Sequence, residues 1–144
     1  MKIGIGSDHG GFEMKQKIKD LLADREGVEV TDFGTYSPES VDYTDFAVEV
    51  ARRVSDGTLE QGILVCTTGV GMSMAANKFP RVRAAQVFTP DILQWCPRHD
   101  GLAHDSNSMD GFVDLAQKTP AGEGRRNRQY CLTVVFDKAD NVAR

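Results

Sequence analysis

Cys66 closes the apolar run Gly62-Ile-Leu-Val65 and is followed by Thr67-Thr-Gly-Val-Gly71 and then Met72-Ser-Met-Ala-Ala-Asn-Lys78. An apolar run, a small hydroxyl-rich turn and a set of good helix formers read as strand, turn, helix. Such a turn leaves several backbone N–H groups at a helix N-terminus, where an anion such as a phosphate or an enediolate oxygen is favoured. A thiol at the strand end faces the same positive end, which favours thiolate, the reactive form. One loop therefore offers a base or nucleophile beside an oxyanion cradle. The competing reading of a lone cysteine in this place is a small, inert apolar residue.

The elements that must position this loop follow from the patterning. Lys2 to Gly6 is a short strand, and Ser7-Asp-His-Gly-Gly11 is a turn whose glycines permit close backbone approach. Phe12 to Ala23 is an amphipathic helix with Phe12, Ile18, Leu21 and Leu22 as its inward stripe. Val28 to Phe33 is a second strand, and Tyr36 to Tyr43 a loop. Asp45 to Ser55 is a helix with Phe46, Val50 and Val54 inward and Arg52 and Arg53 off that face. After the Cys66 unit come a strand over 81–88 and a short helix over 91–96, interrupted at Pro97. Strand–helix–strand alternation of this kind builds an open α/β sheet with right-handed parallel crossovers. Ligands of such sheets bind beyond the carboxyl ends of the strands, so Asp8, His9, Tyr43, Cys66 and Thr68 can share one crevice. From Gly101 to Gln129 the apolar pattern thins into loops with a short helix over 112–117, before Tyr130 to Phe136 forms a last apolar strand. Arg125-Arg-Asn-Arg128 is the densest basic cluster.

The bulk numbers narrow the function classes. A chain of 144 residues, 40% hydrophobic and 26% charged, suits one globular domain over 1–144. Its net charge of −4 argues against nonspecific nucleic-acid binding, so an anionic small ligand has to be met by a local cluster. The three cysteines, at 66, 96 and 131, form neither a zinc spacing nor a disulfide framework, which points to a reducing cytoplasm. No signal-peptide pattern and no apolar run of membrane-spanning length is present.

Gly6-Ser-Asp-His-Gly-Gly-Phe12, Val41-Asp-Tyr43, the 62–78 stretch, Val82-Arg-Ala-Ala85 and Arg98-His99 together resemble the type B ribose-5-phosphate isomerases and the related galactose-6-phosphate isomerase subunits. These pieces cover roughly the first 100 residues in consistent order and spacing. The resemblance implies a Rossmann-like parallel sheet flanked by helices, with an atypical C-terminal third. It implies an aldose–ketose isomerisation of a phosphorylated sugar through a cis-enediolate, with no metal or organic cofactor. In these terms Cys66 resembles the base that shuttles the proton, and the 67–71 loop (Thr67, Gly69, Val70 and Gly71), assisted by Thr68, the holder of the enediolate oxygens. Asp8 resembles the residue moving protons on sugar oxygens, and His99 the group that opens the furanose ring. His9, Arg125 and Arg128 would hold the phosphate, with Tyr43, Asn77 and Asp100 among the substrate-binding residues. The resemblance also implies a homodimer or homotetramer with shared active sites.

The residue types suit this chemistry on their own terms. Removing a proton beside a carbonyl needs a base poised near neutrality and a stabilised oxyanion. Ring opening suits an imidazole, and a phosphate suits forked guanidinium donors. Asp8 and Thr68 equally suit helix caps, and Tyr43 a packed ring with a bonded hydroxyl. The chain departs from the pattern at Thr67, where a glycine is usual, and at Asp100, where an asparagine is usual. Beyond Asp100 the pattern is lost, and Gly122-Glu-Gly-Arg125 is similar to a Gly-Gly-Arg-His phosphate motif whose second arginine is out of step. Two alternatives follow: a non-catalytic or hetero-oligomeric phosphosugar-binding subunit, and a nucleotide-binding module. The missing G-x-G-x-x-G and P-loop lysine count against the second.

Overall fold

The computed structural model describes residues 1–23, 25–87 and 131–137, the side chains of the last segment at Thr133 and Val135 only. Its elements are β1 (Lys2–Ser7), α1 (Phe12–Ala23), β2 (Glu29–Asp32), α2 (Tyr43–Ser55), β3 (Gln61–Cys66), α3 (Val70–Ala76), β4 (Val82–Val87) and β5 (Cys131–Asp137). The strands form one sheet in the order β2-β1-β3-β5-β4. β1 pairs in parallel with both β2 and β3, whereas β5 runs antiparallel to β3 and to β4. The sheet is therefore mixed on the β5 side rather than parallel throughout. An apolar run such as 130–136 reports that a strand is buried, and its pattern is the same in either direction. The close seating of β5 depends on Gly62, where a Cβ would come 3.1 Å from the Cβ of Val135.

Each face of the sheet has its own apolar layer. On one, Ile3, Ile5, Ile63, Val65 and Val87 pack against Met14, Ile18 and Leu22 of α1. On the other, Leu64, Cys66, Val82 and Val135 pack against Ala47, Val50, Ala51 and Val54 of α2 and Met72 and Ala76 of α3. The helices thus divide to both faces, as right-handed crossovers running in opposite directions along the sheet, β1 to β2 and then β2 past β1 to β3, require.

Two helices differ in detail from the sequence reading. In α1 the buried residues are Met14, Lys15, Ile18 and Leu22, while Leu21 is 41% exposed. Lys15 is fully buried because its ammonium reaches Asp32 at 2.6 Å and the Thr35 carbonyl at 2.7 Å. Lys19 meets the other Asp32 oxygen at 2.6 Å. Burial lowers the Lys15 pKa, and the Asp32 carboxylate only partly offsets this. Burial works to raise Asp32, but hydrogen bonds from Lys15, Lys19 and the Gly34 N–H outweigh it and hold the carboxyl below its usual range. α2 starts at Tyr43, two residues earlier than the pattern suggested, because Asp42 caps it by accepting from the Thr44 N–H at 2.9 Å. Its inward face carries Ala47 and Ala51 beside Val50 and Val54, with Phe46 half-buried.

The helices expected over 91–96 and 112–117 lie outside the described residues, as do His99, Asp100, Arg125 and Arg128.

Candidate functional site

Between β1 and β3 the chain order of the sheet reverses: β2 lies to one side of β1, and β3 to the other. The loops leaving these two strands at their carboxyl ends bound the crevice where open α/β sheets take ligands. The strands end level, with Ser7 opposite Val65. Their loops touch. A Cβ on Gly10 would stand 2.5 Å from the Thr67 hydroxyl, and one on Gly11 would run into the Val65 carbonyl. Gly11 is therefore needed for close approach to the β3 backbone, and Gly10 leaves room for the Thr67 hydroxyl.

Cys66 is the last residue of β3 and is 6% exposed. Its Sγ accepts a hydrogen bond from the Gly69 N–H at 2.9 Å. The Gly69 amide, in the middle of the 67–71 loop, is thus directed at sulfur rather than left for an oxygen ligand. Gly69 is the N-cap of α3 with φ 72, a left-handed conformation that glycine adopts without strain. No side chain caps α3, so Thr68 does not hold its N-terminus. Thr67 and Thr68 are both exposed beside the nearly enclosed sulfur.

Asp8 and His9 come from the opposite loop. One Asp8 oxygen accepts from the Gly11 N–H at 2.9 Å, which shapes the turn into α1 and leaves the second oxygen for another partner. Nδ1 of His9 accepts from the Val41 N–H at 3.3 Å, so in the neutral ring the proton resides on Nε2. His9 itself is exposed.

Tyr43 packs from the third direction. Its ring lies over Gly71, where a Cβ would come 2.6 Å from Cζ and 2.9 Å from the hydroxyl oxygen. The ring is 38% exposed, so it is no core aromatic; it lies on the first turn of α3, next to Val70, which is also exposed. The glycine at 71 answers to this ring as much as to any ligand.

Asn77 has a different setting. Its Nδ2 donates to the Ser73 carbonyl at 2.9 Å and to the Ala84 carbonyl at 2.8 Å, and its Oδ1 accepts from the Ala84 N–H at 3.0 Å. The amide is committed to joining the end of α3 to β4, which supports the loop from behind. A shallow hollow on α3, bounded by Ser73, Met74, Asn77 and Lys78, does not include Cys66. Sequence reasoning missed Thr133, whose hydroxyl donates to the Gly69 carbonyl at 3.3 Å. The signal was a single polar residue within the apolar 130–136 run.

Comparison with known proteins bears on the family and the fold. Residues 3–102 match the family model described as Ribose/Galactose Isomerase. Ribose-5-phosphate isomerase B of Escherichia coli K12 is 46% identical over 99 residues, which are 69% of this chain and 66% of that protein. A 4-deoxy-4-sulfo-D-erythrose isomerase of a Clostridium species is 44% identical over 86 residues, 59% of this chain and 54% of its own. The chain thus matches somewhat over half to about two thirds of the length of these curated relatives. Among solved structures, that of Clostridium thermocellum ribose-5-phosphate isomerase B superposes with a TM-score of 0.70 at 43% identity, covering 81% of this chain and 82% of the other.

Proposed function

Because this chain belongs to the ribose/galactose isomerase family, we propose that it interconverts an aldose and a ketose of a phosphorylated sugar, with ribose 5-phosphate and ribulose 5-phosphate as the preferred pair. The observation that carries this reading is the Cys66 sulfur held by the Gly69 N–H at the end of β3, flanked in sequence by Val65 and Thr67, the two residues that the Asp8–Gly11 turn approaches.

In this reading the Cys66 thiolate takes the proton from the carbon beside the carbonyl. The electron pair left behind moves into a cis-enediolate. A proton, after exchange with water at the sulfur, returns from sulfur to the neighbouring carbon, so the thiolate is regenerated and no redox partner is consumed. Backbone N–H groups at the start of α3 face the developing negative charge, with the Thr68 hydroxyl beside them. The second oxygen of Asp8 carries protons between the two sugar oxygens. His9 takes the phosphate with Arg125 and Arg128, and His99 opens the ring, with Asp100 next to it. A second copy of the chain completes the site in a homodimer or homotetramer, in the cytoplasm.

The test is hydrogen exchange in heavy water. Ribose 5-phosphate, a hexose 6-phosphate and 4-deoxy-4-sulfo-D-erythrose are each incubated with pure protein, and deuterium at the carbons flanking the carbonyl is followed by NMR. Incorporation into ribose 5-phosphate ahead of the others supports the reading. No carbon-bound exchange in any of the three sinks it.

A second reading is favoured by one fact: the family match ends at residue 102, ahead of Arg125 and Arg128. The chain would then be a phosphosugar-binding subunit whose missing groups come from a related partner chain. Ligand binding without turnover, relieved by adding that partner, would select it.

A further inference from the structure

Thr133 is the anomaly of β5. It is completely buried between Leu132 and Val134 in sequence, on a strand whose other described side chain, Val135, is part of the apolar layer over α2. Valine fills nearly the same space without a polar atom, so a buried hydroxyl here needs a partner. That partner is the Gly69 carbonyl at 3.3 Å. Residue pairing explains the reach. Thr133 lies opposite Leu64 of β3, two residues before Cys66 and on the same face of the sheet, beneath the loop that follows.

The Gly69 residue is thereby held on both sides. Its carbonyl accepts from the Ser73 N–H at 3.0 Å and from the Thr133 hydroxyl, which occupies both lone pairs. Its N–H donates to the Cys66 sulfur at 2.9 Å. Glycine at φ 72 is the least restrained residue type, so without the second carbonyl contact the direction of its N–H is set by the helix bond alone.

We propose that Thr133 is a positioning residue: by fixing the Gly69 carbonyl from β5, it keeps the Gly69 N–H trained on the Cys66 sulfur and so sustains the thiolate. It acts through Gly69 and does not touch the sugar. The proposal deepens the isomerase reading and rests on it for its effect on turnover, while its effect on sulfur is measured without turnover.

The experiment compares Thr133→Val and Thr133→Ser with the parent protein. The ultraviolet absorbance of the Cys66 thiolate is titrated with pH, using a Cys66→Ser background of each protein to subtract Cys96 and Cys131. Loss of one neutral hydrogen bond implies about three- to tenfold less thiolate at a given pH in Thr133→Val. An equal fall in kcat, with KM unchanged, is expected in the isomerase assay, and Thr133→Ser restores both. A Cys66 titration in Thr133→Val that overlays the parent's overturns the proposal, as does a Ser variant no better than Val. Where the Val variant does not fold, Thr133→Ala is judged by the same criterion. If the parent protein turns over no sugar phosphate, the isomerase reading fails while the thiolate titration still decides the role of Thr133.

Discussion

The two faces of the sheet are built to different ends. The α1 face carries an ion cluster under cover: Lys15 fully buried, Lys19 half-buried and Asp32 between them, each nitrogen 2.6 Å from a carboxylate oxygen. The α2–α3 face carries Cys66, the anion loop and Tyr43, with close approaches permitted by Gly62 and Gly71. On the first face two ammoniums share one carboxylate and fix the end of β2. Polarity on the second is sparse and gathers around the Cys66–Gly69 turn. The difference teaches that stability and chemistry can be assigned to opposite sides of one sheet, so substitutions on each should separate in their readouts.

The strongest way to sharpen this contrast is Cys66→Ala. We expect kcat to fall by about two to four orders of magnitude, as for removal of a general base, with stability lowered by only about 1–2 kcal/mol. A rate within a few-fold of the parent would take Cys66 out of that role. On the opposite face, Asp32→Asn leaves the buried Lys15 ammonium without its counter-charge. Breaking such a pair costs about 3–5 kcal/mol, read as a lower denaturant midpoint, with kcat of the folded fraction unchanged. A kcat loss of the same order as for Cys66→Ala would erase the division between faces.

A pH series makes the same point more gently. The Asp32 carboxyl is held below its ordinary value in the folded protein, so its contribution to stability is present above the unfolded carboxylate value, near pH ~4. That contribution is lost as pH falls through the lower folded value. Unfolding midpoints should therefore decline on acidification more steeply in the parent than in Asp32→Asn. The smallest effect belongs to Asn77→Ala. Two of its three backbone hydrogen bonds join the end of α3 to β4 and the third returns to Ser73 within α3, so about 1–2 kcal/mol of stability is lost while KM stays put. A large rise in KM would return Asn77 to the substrate.

The apolar periodicity of 12–23 located α1 to the residue, and the glycines at 10 and 11 announced the close loop contact. Lys15 escaped because a lysine inside an apolar stripe reads as surface. Its burial depends on Asp32, 17 positions away, which no local pattern contains. Leu21 was assigned inward for the mirror reason, since only contact with a neighbour decides which of two adjacent leucines turns in. Cys66 and its loop were visible because strand, turn and helix are contiguous there. The direction of β5 and the reach of Thr133 to Gly69 were not, because strand pairing between residues some 70 positions apart leaves no periodic trace. The commitment of Asn77 to the Ala84 backbone was hidden by the same non-local geometry.

The placement of β5 has one further effect. It occupies a slot between β3 and β4, saturating one ladder on each. A polypeptide truncated before Cys131 would present those two rows of amides and carbonyls unmatched, on strands whose faces are already greasy. Such rims recruit other chains. Shortened versions of this protein should accordingly appear as oligomeric or insoluble material in sedimentation, and supplying the 131–137 peptide in trans should return them to solution.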